Sequence, residues 1–172
     1  APASCKVPAP DLARAGTTPP VGSVKICVPA VPVSARVPVP AFTVAAPDVN
    51  ETPQPGEAPA ALAQRLALAK ARAVAERFPD SVVIGSDQVA DLDGHPLGKP
   101  GNHERAVLQL RQMRGQTVIF QTAVAVVCLE SGFAQTDLAA VRVKFRDLSD
   151  EEIENYLRAE QPYDCAGSAK SE

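Results

Sequence analysis

Apolar positions recur at helical spacing in the stretch PGEAPAALAQRLALAKARAVAERFPD. One face of the predicted helix consists of Leu62, Leu66, Ala69 and Ala73. Glu57 precedes this face, near the positive end of the helix dipole, and Pro79 follows its end. The pattern therefore predicts an amphipathic helix with its apolar stripe against a core.

Three further stretches have the character of strands. SVVIGSDQVADL ends at the turn signal Asp93-Gly94. TVIFQTAVAVVCLE and FAQTDLAAVRVKFRDL are joined at Ser131-Gly132. In the last one, apolar and basic residues alternate: Val141, Arg142, Val143, Lys144, Phe145 and Arg146. This alternation predicts one buried and one solvated face, and the basic triplet fits a solvated sheet face better than a nucleic-acid stripe.

Capping signals predict two more helices. Asn102 can cap HERAVLQLRQMR, which Gly115 can end. Ser149 and Glu152 form a capping box for DEEIENYLRAE. Strands mixed with helices predict an α/β protein with a mixed central sheet.

Residues 1–41 have a different texture. They contain nine of the seventeen prolines, one acid, and no sustained period of either 2 or 3.6. Each proline removes a backbone donor and restrains its predecessor, so neither a helix nor a central strand is expected in this segment. The composition favours an irregular Pro/Ala/Val-rich arm, and a proline-rich ligand for a partner domain is the alternative.

Composition limits the classes of partner. The net charge of −3 and the pI near 5.4 give no global basic field for nucleic acid or an anionic membrane. The apolar run TVIFQTAVAVVCL is shorter than a membrane-spanning helix and contains Gln121, and no secretory signal is recognisable, so a cytoplasmic protein is expected. The four cysteines form no CxxC pair, so no structural zinc site is expected, and Cys128 is predicted to be a core thiol.

The stretch VVIGSDQVADLDGHPLGKP is the strongest candidate for chemistry. Apolar strand residues that lead into Asp87 would place its carboxylate at the end of a sheet, where a cleft usually lies; a turn acid is the alternative. Lys70 lies on the margin of the helical stripe, so its stem can pack while its ammonium reaches a cleft; a solvated helix lysine is the alternative.

Five motifs in fixed order resemble the Maf family of septum-formation-inhibitor-like nucleotide pyrophosphatases. They are APDVNETPQPGEAP, LALAKARAVA, IGSDQV, GKP and PYDCAGSAKSE. SDQV and the terminal AGSxKSE are similar to the 7-methyl-GTP pyrophosphatase branch, whereas the dTTP and UTP branch has DTVV and AGxYGIQG. The resemblance covers residues 42–172 and implies a Maf/ITPase-like fold, a twisted sheet flanked by helices and a cleft.

The resemblance also implies an activity and its residues. The activity is hydrolysis of a nucleoside triphosphate, 7-methyl-GTP or a related nucleotide, to the monophosphate and pyrophosphate with a divalent cation (Mg, Mn or Co). Asp87 matches the family's proton acceptor and a metal ligand. Glu51 matches the family's metal-side acid; the alternative for Glu51 is a simple loop acid beside Pro53. The remaining matches bind substrate: Lys70 and Lys99 hold phosphates, and Gln88 and Glu172 discriminate between bases. By itself, Glu172 would be a tail acid.

Departures from the family pattern give further expectations. Residues 1–41 lack the opening strand and Ser-x-Ser-x-x-Arg-Arg-like motif, and the family continues past KSE, so the chain is expected to be a core truncated at both ends. We predict that residues 1–41 are not a native functional arm but a stretch read in a displaced frame, or otherwise altered. Asn50 stands where an aspartate is usual. The alternative to an enzyme is a catalytically impaired remnant, or a binding or septum-regulation protein; a homodimer is a further expectation.

Overall fold

The structure is a computed structural model that describes residues 24–27, of which the backbone alone is considered, and residues 42–170. The described residues form six strands and three α-helices. The strands are β1 (Val24–Cys27), β2 (Phe42–Val44), β3 (Val82–Leu92), β4 (His95–Leu97), β5 (Thr117–Cys128) and β6 (Phe133–Lys144). The helices are α1 (Pro59–Ala75), α2 (His103–Met113) and α3 (Asp150–Glu160), followed by a single 3₁₀ turn at Ala166–Ser168.

The strands form one mixed sheet. Its order is β2-β1-β3-β5-β6, and β4 pairs with β3. β2, β1 and β3 run parallel, whereas β3, β5 and β6 are joined by antiparallel ladders. The predicted α/β class with a mixed central sheet is confirmed.

The expectation that no central strand forms within residues 1–41 is wrong for β1. This strand lies between β2 and β3, and its partners in β3 are Val82–Gly85. The physical reason is local: residues 21–28 are free of proline, so every backbone donor there can join a ladder. Residues 1–23 and 28–41 lie outside the described part of the chain, and the domain boundary at residue 42 and the displaced frame stay predictions.

Helix α1 packs on one face of the sheet. Its buried stripe includes Leu62, Ala63, Leu66, Ala67, Lys70, Ala71 and Val74. Ala69 and Ala73, which were expected in the stripe, are only half-buried. The contact with β3 is very close at Gly85, where a Cβ would lie 2.5 Å from the carbonyl oxygen of Ala67 and 2.7 Å from the nitrogen of Ala71. Only glycine permits this approach.

Helices α2 and α3 cover the opposite face with a second core. Ala90, Leu110, Met113, Val118, Ile153 and Leu157 are buried there. The predicted caps are confirmed: the Asn102 side chain accepts from the Arg105 N–H, and Ser149 and Glu152 form a reciprocal capping box. The sheet is thus covered by α1 on one face and by α2 and α3 on the other.

The outer strand β6 differs from its prediction. Val141 is 55% exposed and Val143 37% exposed, so these two valines do not form a buried face, although Phe145 is half-buried. β6 is the last described strand of the sheet, and the described part of the chain leaves these two valines largely uncovered. Cys128 is buried as predicted.

No helix among the described residues has the length and apolar character needed to cross a membrane.

The close contact at Gly85 gives a testable prediction. Gly85→Ala should lower the free energy of unfolding by about 1–3 kcal/mol, because the added methyl group overlaps backbone atoms of α1. Gly98→Ala is the matched control, since a Cβ there meets no atom within 4 Å. Urea denaturation measures both; equal stability of the two variants would contradict the close packing.

Candidate active site

A cavity of about 390 Å³ opens beside the middle of β3. β1 pairs with β3 as far as Gly85, and β4 pairs with it from Ala90 onwards. Between these two ladders, this side of β3 has no strand partner in the described part of the chain. The cavity occupies that gap, and Glu51, Asp87, Gln88 and Lys99 are among its lining residues.

Asp87 lies in the part of β3 that borders the gap and lines the cavity. It was expected at the end of the sheet, but it stands in the middle of the eleven-residue β3 and pairs with Ala123 of β5. That expectation is wrong in detail. The carboxylate still reaches a cleft, because the neighbouring strand ends beside it.

Lys70 of α1 forms a buried ion pair with Asp87. Its Nζ lies 2.5 Å from Asp87 Oδ1, and the two side chains are only 8% and 11% exposed. The close approach at Gly85, two residues before Asp87, brings the helix near enough for this contact. Lys70 therefore lies buried inside the apolar stripe rather than at its margin, and its ammonium contacts two carboxylates, Glu51 and Asp87, that line the cavity.

Glu51 joins the pair to a second lysine. Its Oε1 lies 2.7 Å from Lys70 Nζ, and its Oε2 lies 3.4 Å from Lys99 Nζ. Lys99 is half exposed, so it can turn towards a ligand. Four residues from four separate segments thus form one alternating cluster of two carboxylates and two ammonium groups.

Burial and ion pairing shift the pKa values in this cluster. Burial raises the pKa of Asp87, and the Lys70 ammonium opposes that rise. Burial lowers the pKa of Lys70, but the hydrogen bonds to Asp87 and Glu51 outweigh it, so its pKa lies above the ordinary lysine value. The hydrogen bond from Lys70 holds the pKa of Glu51 below its usual range. Lys70 therefore keeps its positive charge between the two carboxylates.

Gln88 and Glu172 are the two remaining predicted residues. Gln88 follows Asp87 in β3, and its amide donates to Thr122 Oγ1 over 2.8 Å. It lines the small cavity and also a second one of about 580 Å³, whose lining includes Phe120, Phe145 and Tyr156. Glu172 lies outside the described residues, which end at Lys170.

The two carboxylates offer oxygen ligands of the kind that Mg²⁺ prefers. Among the described residues, no three His, Cys, Asp or Glu side chains form a group that could hold a metal by themselves. The single hydrogen bond that the described residues make to the Asp87 side chain is at Oδ1, which leaves Oδ2 for another ligand. Glu51 and Asp87 therefore fit a cation that arrives with phosphate oxygens and water.

The segment that carries Glu51 is fixed by an ion pair that the sequence did not reveal. Arg65 of α1 binds Glu57 through Nε and Nη2, at 2.6 and 2.8 Å, and its Nη2 also donates to the carbonyl of Thr52. Glu57 was expected to interact with the helix dipole. It precedes the helix by two residues, so no helical spacing links it to Arg65.

The loop that carries Lys99 is fixed in a similar way. Gln109 of α2 donates to the carbonyl of Gly98 and accepts from the Ser168 hydroxyl, at 2.9 and 2.6 Å. The N–H of Gly167 also donates to that carbonyl. Gln109 therefore links the Lys99 loop to the 3₁₀ turn, a role that helix periodicity does not predict.

Comparison with known proteins shows which family the chain matches and which proteins resemble it in sequence. The family model described as Maf-like protein matches residues 35–172. A protein of Polaromonas sp. named 7-methyl-GTP pyrophosphatase is 81% identical over 131 residues, which are 76% of this chain and 60% of the relative. Proteins with the same name from Albidiferax ferrireducens and Methylobacillus flagellatus are 72% and 56% identical over 138 residues. Those residues are 80% of this chain, and they are 69% and 71% of the two relatives, respectively. This chain therefore spans about three fifths to seven tenths of the length of these three relatives.

The ion pair between Glu57 and Arg65 predicts a specific acid sensitivity. Hydrogen bonds from Arg65 lower the pKa of Glu57 from 4.5 to about 2, so the pair stabilises the fold above pH 4.5 and loses this effect as the pH falls towards 2. Glu57→Gln should reduce stability near neutral pH, and its difference from the parent protein should shrink below pH 4.5.

Urea denaturation at several pH values measures that difference. Glu130→Gln in the exposed β5–β6 turn is the matched control, because it removes one acid without breaking the Arg65 pair. A constant difference between Glu57→Gln and the parent protein across the acid range would contradict the prediction.

Proposed function

The chain belongs to the Maf-like protein family, and from this premise we propose that it is a nucleoside triphosphate pyrophosphatase acting on 7-methyl-GTP or a related modified nucleotide. Water would attack the α-phosphorus, the bond to the bridging oxygen of the β-phosphate would break, and the monophosphate and pyrophosphate would leave. The observation that carries this proposal is the ion-paired cluster of Glu51, Lys70, Asp87 and Lys99, in which Glu51, Asp87 and Lys99 line one cavity and Lys70 supports the two carboxylates from below. The names of the relatives support the same activity and give no support to a non-enzymatic role.

Each side chain of the cluster has a role that its position allows. Asp87 accepts the proton of the attacking water, and burial, which raises its pKa, makes it a better base than an exposed aspartate. Lys70 orients the Asp87 carboxylate from inside the core and offers its charge to the phosphates. Lys99, at the exposed rim, follows the departing pyrophosphate, for which a mobile point charge is suited.

A divalent cation would be held by Glu51 and Asp87 together with the phosphates. When bound, it would neutralise phosphate charge and polarise the scissile bond. Mg, Mn and Co are all compatible with oxygen ligands. The nucleotide is therefore expected to enter as its metal complex, since the two carboxylates alone would repel a bare triphosphate.

The larger cavity is the proposed site of the base. Phe120, Phe145 and Tyr156 give it aromatic walls, and Gln88 lines both this cavity and the one that contains Asp87. The segment Ser168–Lys170, which leads towards Glu172, lines it as well. A Glu172 carboxylate could accept hydrogen bonds from the N1 and N2 groups of a guanine. A cytoplasmic location and a homodimer stay predictions from the sequence.

The proposed preference for a guanine base predicts the order of reaction rates among nucleoside triphosphates. Pyrophosphate release should be at least about tenfold faster with 7-methyl-GTP than with dTTP or UTP, because a pyrimidine presents a carbonyl where guanine presents donors. Rates at equal substrate concentration, with Mg²⁺ and with EDTA, measure this. Equal rates with 7-methyl-GTP and dTTP would contradict the branch assignment, and no release from any triphosphate would contradict the enzyme itself.

The role of Asp87 predicts a second result. Asp87→Asn should lower turnover on the order of 10²-fold or more, since the amide keeps the shape but cannot accept the proton. Asp137→Asn, an exposed change of the same kind on β6, is the control. Pyrophosphate release measures both, and circular dichroism checks the fold. If Asp87→Asn turned over substrate about as fast as the parent protein, Asp87 would not be the general base.

A further inference from the structure

The segment Asn50–Glu57, which carries Glu51, has little regular structure of its own. It lies between β2 and α1, and residues 50–56 are all exposed. The N–H of Glu57 donates to the carbonyl of Gln54 in a turn, and the Asn50 side chain accepts from the N–H of Thr52. These local bonds shape the segment but do not attach it to the protein.

Two kinds of contact attach the segment within the described part of the chain. One is the pair of lysines, Lys70 and Lys99, that bind the Glu51 carboxylate. The other is Arg65, whose guanidinium holds Glu57 at one end of the segment and the carbonyl of Thr52 next to Glu51. The lysine contacts cannot stay unchanged when substrate binds, because the same ammonium groups are proposed to hold phosphates. The Arg65 contacts involve no group that the substrate needs.

The geometry of Arg65 suits a rigid support. A forked guanidinium–carboxylate pair fixes direction as well as distance, and it is stronger than a neutral hydrogen bond. The Glu57 side chain is only 9% exposed and Arg65 31%, so water competes little at the carboxylate. Glu57 Oε2 also accepts the N–H of Gln54, which extends the support into the middle of the segment.

We propose that Arg65 is a positioning residue that holds Glu51 in place for the metal–nucleotide complex, through Glu57 and the Thr52 carbonyl. This inference rests on the proposed function for the role of Glu51. The attachment of segment 50–57 to α1 by Arg65 does not depend on the proposed function. Arg65 does not line the cavity that contains Glu51, Asp87 and Lys99. Its loss should therefore weaken binding of the metal–nucleotide complex through Glu51, besides lowering the stability that the Glu57 pair provides. Lysine cannot replace it because a single ammonium cannot reproduce the fork.

The first test measures the segment without any activity. In Arg65→Gln and Arg65→Lys, hydrogen exchange at the Gln54 amide should be on the order of tenfold faster, because its acceptor Glu57 is no longer fixed. Arg111→Gln is the matched control: it breaks another forked pair, with Asp150, at 3.1 and 3.0 Å between α2 and α3. Unchanged exchange at Gln54 in Arg65→Gln would overturn the proposal, as would equal acceleration in Arg111→Gln.

The second test asks whether Arg65 acts through Glu51. In a double-mutant cycle, Arg65→Gln and Glu51→Gln should each raise the Mg²⁺ concentration needed for half-maximal pyrophosphate release, on the order of tenfold. Arg65→Gln should add little in the Glu51→Gln background. Rescue by Arg65→Lys, or independent effects of the two substitutions, would overturn the positioning role.

The two tests separate failure of this inference from failure of the proposed function. If the parent protein releases no pyrophosphate from any triphosphate, calorimetric titration with Mg²⁺ and pyrophosphate replaces the rate. Weaker Mg²⁺-dependent binding in Arg65→Gln and Glu51→Gln, again without additivity, would then support the role of Arg65. Equal binding in the parent protein and Arg65→Gln would contradict it.

Discussion

The buried ion pair between Lys70 and Asp87 is the interaction on which the site depends. Removing two charges from water is costly, and their attraction offsets that cost only when the geometry is good and further partners are present. Gly85 provides the geometry by letting α1 approach β3, and Glu51 provides the further partner for Lys70. A lysine within the apolar stripe of a helix is stable here because two carboxylates face it.

Under the proposed function, this arrangement prepares the cavity for a triphosphate before any ligand arrives. Asp87 and Glu51 keep the buried Lys70 charged, and Glu51 also contacts Lys99 at the rim of the cavity. A phosphate chain can take over the ammonium contacts, and the carboxylate oxygens thereby released can accept a cation. In the proposed reaction such a site would need little reorganisation, and preorganised charge is usually the largest single contribution to catalysis.

The cleft is assembled from segments that different parts of the fold hold in place. Arg65 connects the Glu51 segment to α1, and Gln109 connects the Lys99 loop to the turn at Ala166–Ser168. Both connections end on backbone carbonyls as well as side chains. The two loop segments of the site are therefore tied to helices α1 and α2, and Gln88 lines both this cavity and the larger aromatic one.

Local patterns in the sequence determined the elements and much of the chemistry. Helix periodicity, the caps at Asn102 and Ser149, and the motif around Asp87 depend on near neighbours, so they could be recognised without a structure.

Contacts between distant residues were decided only by the tertiary structure. Strand β1 could form because an edge of β3 was open to pair with it. The exposure of Val141 depended on how far the helices cover the sheet. Asp87 reached a cleft because the neighbouring strand ends beside it. The link from Arg65 to Glu57 follows no helical spacing. These features depend on which segments meet in space, and single-sequence spacing carries no information about that.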